Sequence, residues 1–116
     1  MIHQRNELLN RLLFHTANPG LACGNEVLTL STANATGLAT IPADARYAVL
    51  QVVEVTTSGS ANVISYWQDG TTPTSTTGIV RGDREAFDIY GMENMIKFKA
   101  IRLSANSHTI RVQYFK

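Results

Sequence analysis

From Asn25 to Lys116 the side chains alternate in character every second residue, in short runs broken by turn signals about every ten positions. That period constrains the fold more than any other feature of the chain. Side chains on a strand point alternately to two faces, so each run can bury one face and hydrate the other. Strands are expected at Glu26–Ser31, Arg46–Thr56, Ala61–Gln68, Gly78–Val80, Glu85–Tyr90, Met95–Ser104 and His108–Phe115, with a weaker one near Thr36–Ile41. Between them stand Thr57-Ser58-Gly59-Ser60, Asp69-Gly70, Arg81-Gly82-Asp83, Gly91 and the segment from Ser104 to Ser107. Seven or eight such strands, with no strand–helix alternation, predict an all-β fold: an antiparallel β-sandwich or jelly roll.

The alternation also assigns faces. In the last strand Ile110, Val112 and Tyr114 share the inward face, and Thr109, Arg111 and Gln113 share the other. In the strand before it Ile96, Phe98 and Ala100 oppose Lys97 and Lys99; apolar parity then changes at Ile101 and Leu103, which predicts a bulge or a second buried contact. Tyr47–Val55 is apolar at nearly every position, as in a strand covered on both faces. A two-layer sandwich covers only one, so the other needs a partner or the N-terminal arm. Tyr66 and Trp67 are neighbours on a strand and point oppositely, so at least one belongs to the core. Asp69-Gly70 predicts a positive φ at Gly70. Arg81-Gly82-Asp83 has the letters of an integrin-adhesion motif, but it reads better as a hairpin turn with Gly82 at positive φ.

The start of the chain has a different period. Leu8, Leu9, Leu12 and Leu13 gather on one helical face, followed by Phe14, and Asn18-Pro19-Gly20 stops the helix. A helix of roughly eleven residues is marginal alone in water and needs a surface to lie on. The chain therefore divides into an N-terminal arm with a short amphipathic helix, residues 1–24, and a β-sandwich body, residues 25–116.

Composition narrows the function classes. Ten Lys+Arg against nine Asp+Glu leave a net charge of +1, and only 16% of residues are charged. So neutral a chain has no electrostatic footprint for nucleic acid or for anionic membrane surfaces. Thirteen Thr and seven Ser take the place of charge, which suits pleated surfaces and turns. A single cysteine rules out an internal disulfide, and neither a secretory signal nor an apolar run of about 18 residues is present, so a soluble protein folding in a reducing cytoplasm is expected. His3, His15 and His108 fall in no ligand-like spacing with one another or with Cys23, which reads as a small buried thiol. The acidic residues come singly, and no phosphate loop, metal-binding His-Glu pair or nucleophile elbow occurs. The expectation is no catalytic site, no metal, no cofactor and no enzyme activity. Only the aromatic residues at strand ends (Tyr66, Trp67, Tyr90, Tyr114, Phe115) have a binding reading, as sugar-stacking or interface anchors.

An ordered set of motifs then appears: Ile41-Pro42-Ala43, the Tyr47–Val55 run, Ile64-Ser65-Tyr66-Trp67, Gln68-Asp69-Gly70-Thr71-Thr72-Pro73-Thr74, Gly78, Arg81-Gly82-Asp83, Phe98–Leu103 and the ending Val112-Gln113-Tyr114-Phe115-Lys116. In this order they resemble the small head-decoration, or cement, proteins of tailed bacteriophages, over about two-thirds of the chain. The leucine-rich opening lies outside that pattern. The resemblance implies a non-enzymatic virion protein, made in the host cytoplasm, that binds the capsid exterior and stabilises contacts between capsomers. Its partners would be the major capsid protein and copies of itself, as dimer or trimer. Candidate contact residues are Leu8, Leu9, Leu12, Leu13 and Phe14 of the arm, with Tyr66 and Trp67 of the body. The arm is expected to be weakly held in the free protein and ordered against the capsid or a sister subunit. Two other classes stay open: a tail, baseplate or fibre β-sandwich, and a carbohydrate-binding module using Tyr66, Trp67 or Tyr90.

Overall fold

A computed structural model describes residues 20–32, 34–55, 59–104 and 106–116; the leucine stripe and the helix expected for it lie outside these residues. The described residues form an antiparallel two-sheet structure of seven strands with one short helix. One sheet has the order β1-β7-β2-β5, formed by β1 (Ala22–Leu30), β2 (Tyr47–Glu54), β5 (Ala86–Tyr90) and β7 (His108–Phe115). The other has the order β4-β3-β6, formed by β3 (Ile64–Trp67), β4 (Ile79–Arg81) and β6 (Lys99–Arg102). Pairing is nested: β1 with β7, β2 with β5, and β3 with β4, while a single bridge from Thr36 to Ala100 stands between the first two of these pairs in chain order. The all-β expectation holds.

Alternation places the core as read from the sequence. Ile110, Val112 and Tyr114 are buried, as are Ala48, Leu50 and Val52 of β2 and Leu28 and Leu30 of β1. Across from them Tyr66 stacks on Phe87, with ring centroids 4.4 Å apart and planes at 12°, and Phe98 packs obliquely beside both. Aromatic rings carrying this much apolar area dominate the packing of so small a core.

Several expectations are corrected. Met95–Lys97 is not strand but the end of helix α1 (Met92–Lys97). The helix starts after Gly91 at φ 92°, and the Asn94 side chain donates to the Tyr90 carbonyl at 2.8 Å. Met92 and Met95, three apart, share the face turned to the core, which leaves Ile96 59% exposed rather than inward. In β6, Ala100 faces the core opposite Tyr66, and Ile101 is buried on the other side opposite Ser65; the register runs without a bulge. That outer side is covered where the 71–78 loop folds back: Pro73 is buried, and the Ser65 hydroxyl donates to the Thr77 carbonyl at 3.2 Å. The weak strand near Thr36–Ile41 shrinks to the bridge at Thr36. β1 begins at Ala22, inside the segment read as linker, with Cys23 as the extra residue of a bulge against β7.

Arg81-Gly82-Asp83 is no hairpin, because it carries the chain from one sheet to the other. Positive φ falls on Arg84, at 68°, and not on Gly82. Glycine is required at 82 for space instead: a Cβ there would lie 2.8 Å from the carbonyl oxygens of Ser60 and Ala61. Gly70 does take positive φ, at 88°.

Candidate interaction surface

Register across the four-stranded sheet assembles its outer face in rows. Val27, Arg111, Gln51 and Ala86 form one row, and Asn25, Gln113, Val49 and Asp88 the next. At the end of the sheet stands an aromatic row of Phe115, Tyr47 and Tyr90. Tyr47 stacks flat on Phe115, with centroids 4.8 Å apart and planes at 8°, and tilts against Tyr90 at 5.5 Å. Tyr90 is 54% exposed, and its hydroxyl donates to Asp88 Oδ2 at 2.9 Å; that bond, with burial, pushes the phenol above its ordinary value.

The first two rows border a shallow, open depression of about 330 Å³ lined by Asn25, Glu26, Val27, Val49, Gln51, Arg111, Val112 and Gln113. Val27 is 62% exposed and Val49 half-buried. Arg111 and Asp88 carry the charge of these rows, and the rest is aliphatic, amide or aromatic. Such a surface loses little on desolvation, because few of its groups hold water as tightly as an ion does. It is suited to packing against another flat surface, not to gripping a charged ligand.

The candidate residues from the sequence separate. Leu8, Leu9, Leu12, Leu13 and Phe14 lie outside the described residues. Tyr66 is 2% exposed and stacked in the core, so its ring cannot reach a capsid, a sister subunit or a sugar. Trp67 is half-buried on the opposite side of β3. Tyr114 is also buried, which leaves Tyr90 exposed and Trp67 and Phe115 half-buried among the strand-end aromatics. Sequence reasoning missed the row they form with Tyr47, since residues 47, 90 and 115 become neighbours only through register. The signal for part of the surface was present, in the apolar second face of Tyr47–Val55 and the opposite parity of Thr109, Arg111 and Gln113.

The other titratable groups serve the fold. Glu26, at the inner edge of β1, accepts the buried Tyr114 hydroxyl and the N–H groups of Ala39 and Thr40, at 3.2 and 3.0 Å. Asp83 has a side chain only 5% exposed; it accepts the N–H groups of Glu54 and Gly59, each at 2.9 Å, and these hold its carboxyl below the ordinary value. Arg81 lies over the Phe87 ring at 5.4 Å, so both charged members of the adhesion-like tripeptide are engaged within the body. His108 is buried with Nε2 bonded to Ser104 Oγ at 2.7 Å. Burial and the nearby Asp44 push the Cys23 thiol up, away from the thiolate that nucleophilic chemistry requires.

Among the described residues, no group of three or more His, Cys, Asp or Glu side chains could hold a metal ion, and no helix is long and apolar enough to cross a membrane. No protein-family model matches the chain, and searches of curated proteins and of solved structures return no match.

Proposed function

We propose that the chain is a structural decoration protein of a tailed-phage capsid, with a jelly-roll body. The observation that carries this reading is the outer face of the four-stranded sheet, where exposed Val27 and Tyr90 flank an open depression lined mostly by aliphatic and amide side chains, a surface of the kind a protein needs to bind a protein shell. The nested pairing supports the architecture. If the Thr36 bridge stands for a reduced strand, the chain folds as one long hairpin rolled into two sheets, the pattern found in capsid jelly rolls. The ordered motifs from Ile41 to Lys116 supply the link to cement proteins. On this reading the protein has no catalytic role, its partners are the major capsid protein and copies of itself, and it resides on the virion exterior.

The test is to mix purified protein with undecorated, expanded phage heads, sediment the mixture, and image the particles. Regular added density at fixed lattice positions is expected. Heads that sediment bare, beside tails or fibres that carry the protein along, would move it to another virion structure. The row of half-buried Phe115 and Tyr47 with exposed Tyr90 favours one second reading, a sugar-stacking site. Glycan binding that is lost with Tyr90→Ala, with no binding to heads, would establish that reading instead.

A further inference from the structure

The two sides of the sandwich are guarded differently. On one side Thr36 exchanges two backbone hydrogen bonds with Ala100 of β6, at 2.9 and 3.0 Å, and Glu26 of β1 holds the N–H groups of Ala39 and Thr40, so one segment covers an edge of each sheet. The opposite side has no such cover: among the described residues no strand pairs with the outer edge of β5 or of the three-residue β4. A bare edge is a template for another strand, and proteins that stay apart blunt it with lysine, proline or a bulge. The β5 sequence Ala86-Phe87-Asp88-Ile89-Tyr90 has neither lysine nor proline, and its register against β2 runs without a shift. We propose that β5 pairs antiparallel with β5 of a second copy of the chain, about a twofold axis beside Phe87, joining two four-stranded sheets into one of eight strands.

Backbone parity supplies the ladder. Gly91 donates to the Arg46 carbonyl and the Glu85 carbonyl accepts from Val52, so the odd-numbered residues of β5 turn their backbone groups toward β2. Those of Ala86, Asp88 and Tyr90 turn toward the bare edge. Charge then selects the register. Asp88 opposite the partner's Asp88 would set like charges against each other. One step along, Ala86 stands opposite the partner's Asp88, and the two symmetric pairs exchange four backbone hydrogen bonds. This register also sets Arg84, with a side chain 80% exposed, opposite the partner's Tyr90 and diagonal to the partner's Asp88. A guanidinium can lie on a tyrosine ring and reach a carboxylate from there; the Tyr90 hydroxyl bonds Oδ2 of Asp88 and leaves Oδ1 to it. A second copy fits this edge because each edge carries both charges at the spacing the other needs. The axis is normal to the sheet, so the outer faces stay on one side, open and side by side. Self-association belongs to the capsid reading, but the choice of edge rests on the free chain and is tested without heads, so its failure leaves that reading standing.

The test is sedimentation equilibrium of the full chain between about 10 µM and about 1 mM, where a reversible monomer–dimer equilibrium is expected of an interface built on one strand pair. Arg84→Glu and Asp88→Lys should each weaken the dimer about tenfold or more, because each sets like charges at both symmetric contacts. An equimolar mixture of the two variants should regain near wild-type affinity as a heterodimer, since every contact in it again joins opposite charges. Asp88→Pro removes an N–H that points away from β2, so it should weaken the dimer about tenfold or more while the monomer still melts cooperatively. A wild-type chain that stays monomeric throughout, variants that all dimerise as the wild type does, or a mixture that stays monomeric would each overturn the proposal.

Discussion

Replacing Tyr114 with phenylalanine keeps the buried ring and removes one hydroxyl, which isolates the bond that ties β7 to Glu26 and, through Glu26, to the backbone of residues 39 and 40. A hydrogen bond to a charged group contributes about 1.5–3 kcal/mol. Glu26 keeps some contact with solvent, so the lower end applies, about 1.5–2 kcal/mol, or a fall in Tm of roughly 6–12 °C for a domain of this size. The pH dependence carries the sharper test. Partial burial pushes Glu26 up, but the Tyr114 hydroxyl and the Thr40 and Ala39 N–H groups outweigh it and hold the carboxyl below its ordinary value. A depressed carboxyl stabilises the fold at pH above its unfolded value, about 4.3, and that contribution disappears as pH falls through the folded value. Tyr114 behaves oppositely: burial and then Glu26 push its phenol up, so its contribution is intact below about pH 10 and is lost as pH rises further. Thermal melts followed by circular dichroism from pH 3 to 11 should therefore show wild-type stability falling at both ends. Tyr114→Phe should flatten both limbs, leaving the alkaline loss that the raised Tyr90 phenol and Cys23 thiol still contribute, and Glu26→Gln should flatten the acid limb. A Tyr114→Phe Tm within about 2 °C of wild type at pH 7, or acid limbs of equal steepness in all three proteins, would refute the coupling.

Three further outcomes are expected. A chain ending at Ser107 should show no cooperative melt, because β7 is the shared neighbour of β1 and β2 and each of its three buried side chains stabilises the fold by roughly 1.5–3 kcal/mol. Gly70→Ala should cost about 1–2 kcal/mol from its φ of 88° alone, and Gly78→Ala distinctly more, since its Cβ would lie 2.0 Å from the Ser65 hydroxyl oxygen; equal denaturant midpoints would contradict this ranking. Asp83→Ala should lower the melting temperature by freeing the Glu54 and Gly59 N–H groups, and the wild-type protein should support no cation-dependent integrin adhesion; adhesion abolished by that substitution would mean that the loop opens.

Much of the fold could be read from residues whose two faces differ in chemistry. Ile110, Val112 and Tyr114 against Thr109, Arg111 and Gln113 leave one solution, and the core follows it. Where both faces are apolar, alternation says nothing about which is inside, so Tyr66 and Trp67 could be separated only by the stacking of Tyr66 on Phe87. Short elements defeat periodicity too. Ile96, Phe98 and Ala100 alternate as a strand would, yet six residues after Gly91 coil into a helix because Met92 and Met95 then reach the core together. The candidate surface was half legible. An apolar second face on β2 required some cover, but the aromatic row and the depression join residues from three strands, and pairing register is a tertiary property that one strand's composition does not encode.

Nested pairing also sets a timetable. The outermost pair, β1 with β7, closes the longest loop of the described fold, and β2 gains its second neighbour only when that same late strand arrives. Loop-closure entropy must be overcome before those non-local bonds form, which places such sandwiches among domains that fold in milliseconds to seconds. Through that interval β1 and β2 offer long unpaired edges to any similar strand nearby. Many copies made at once in one cell would meet each other in this state, so the rate at which β7 inserts governs the yield of soluble protein, and substitutions that slow insertion should reduce yield even where the finished fold is equally stable.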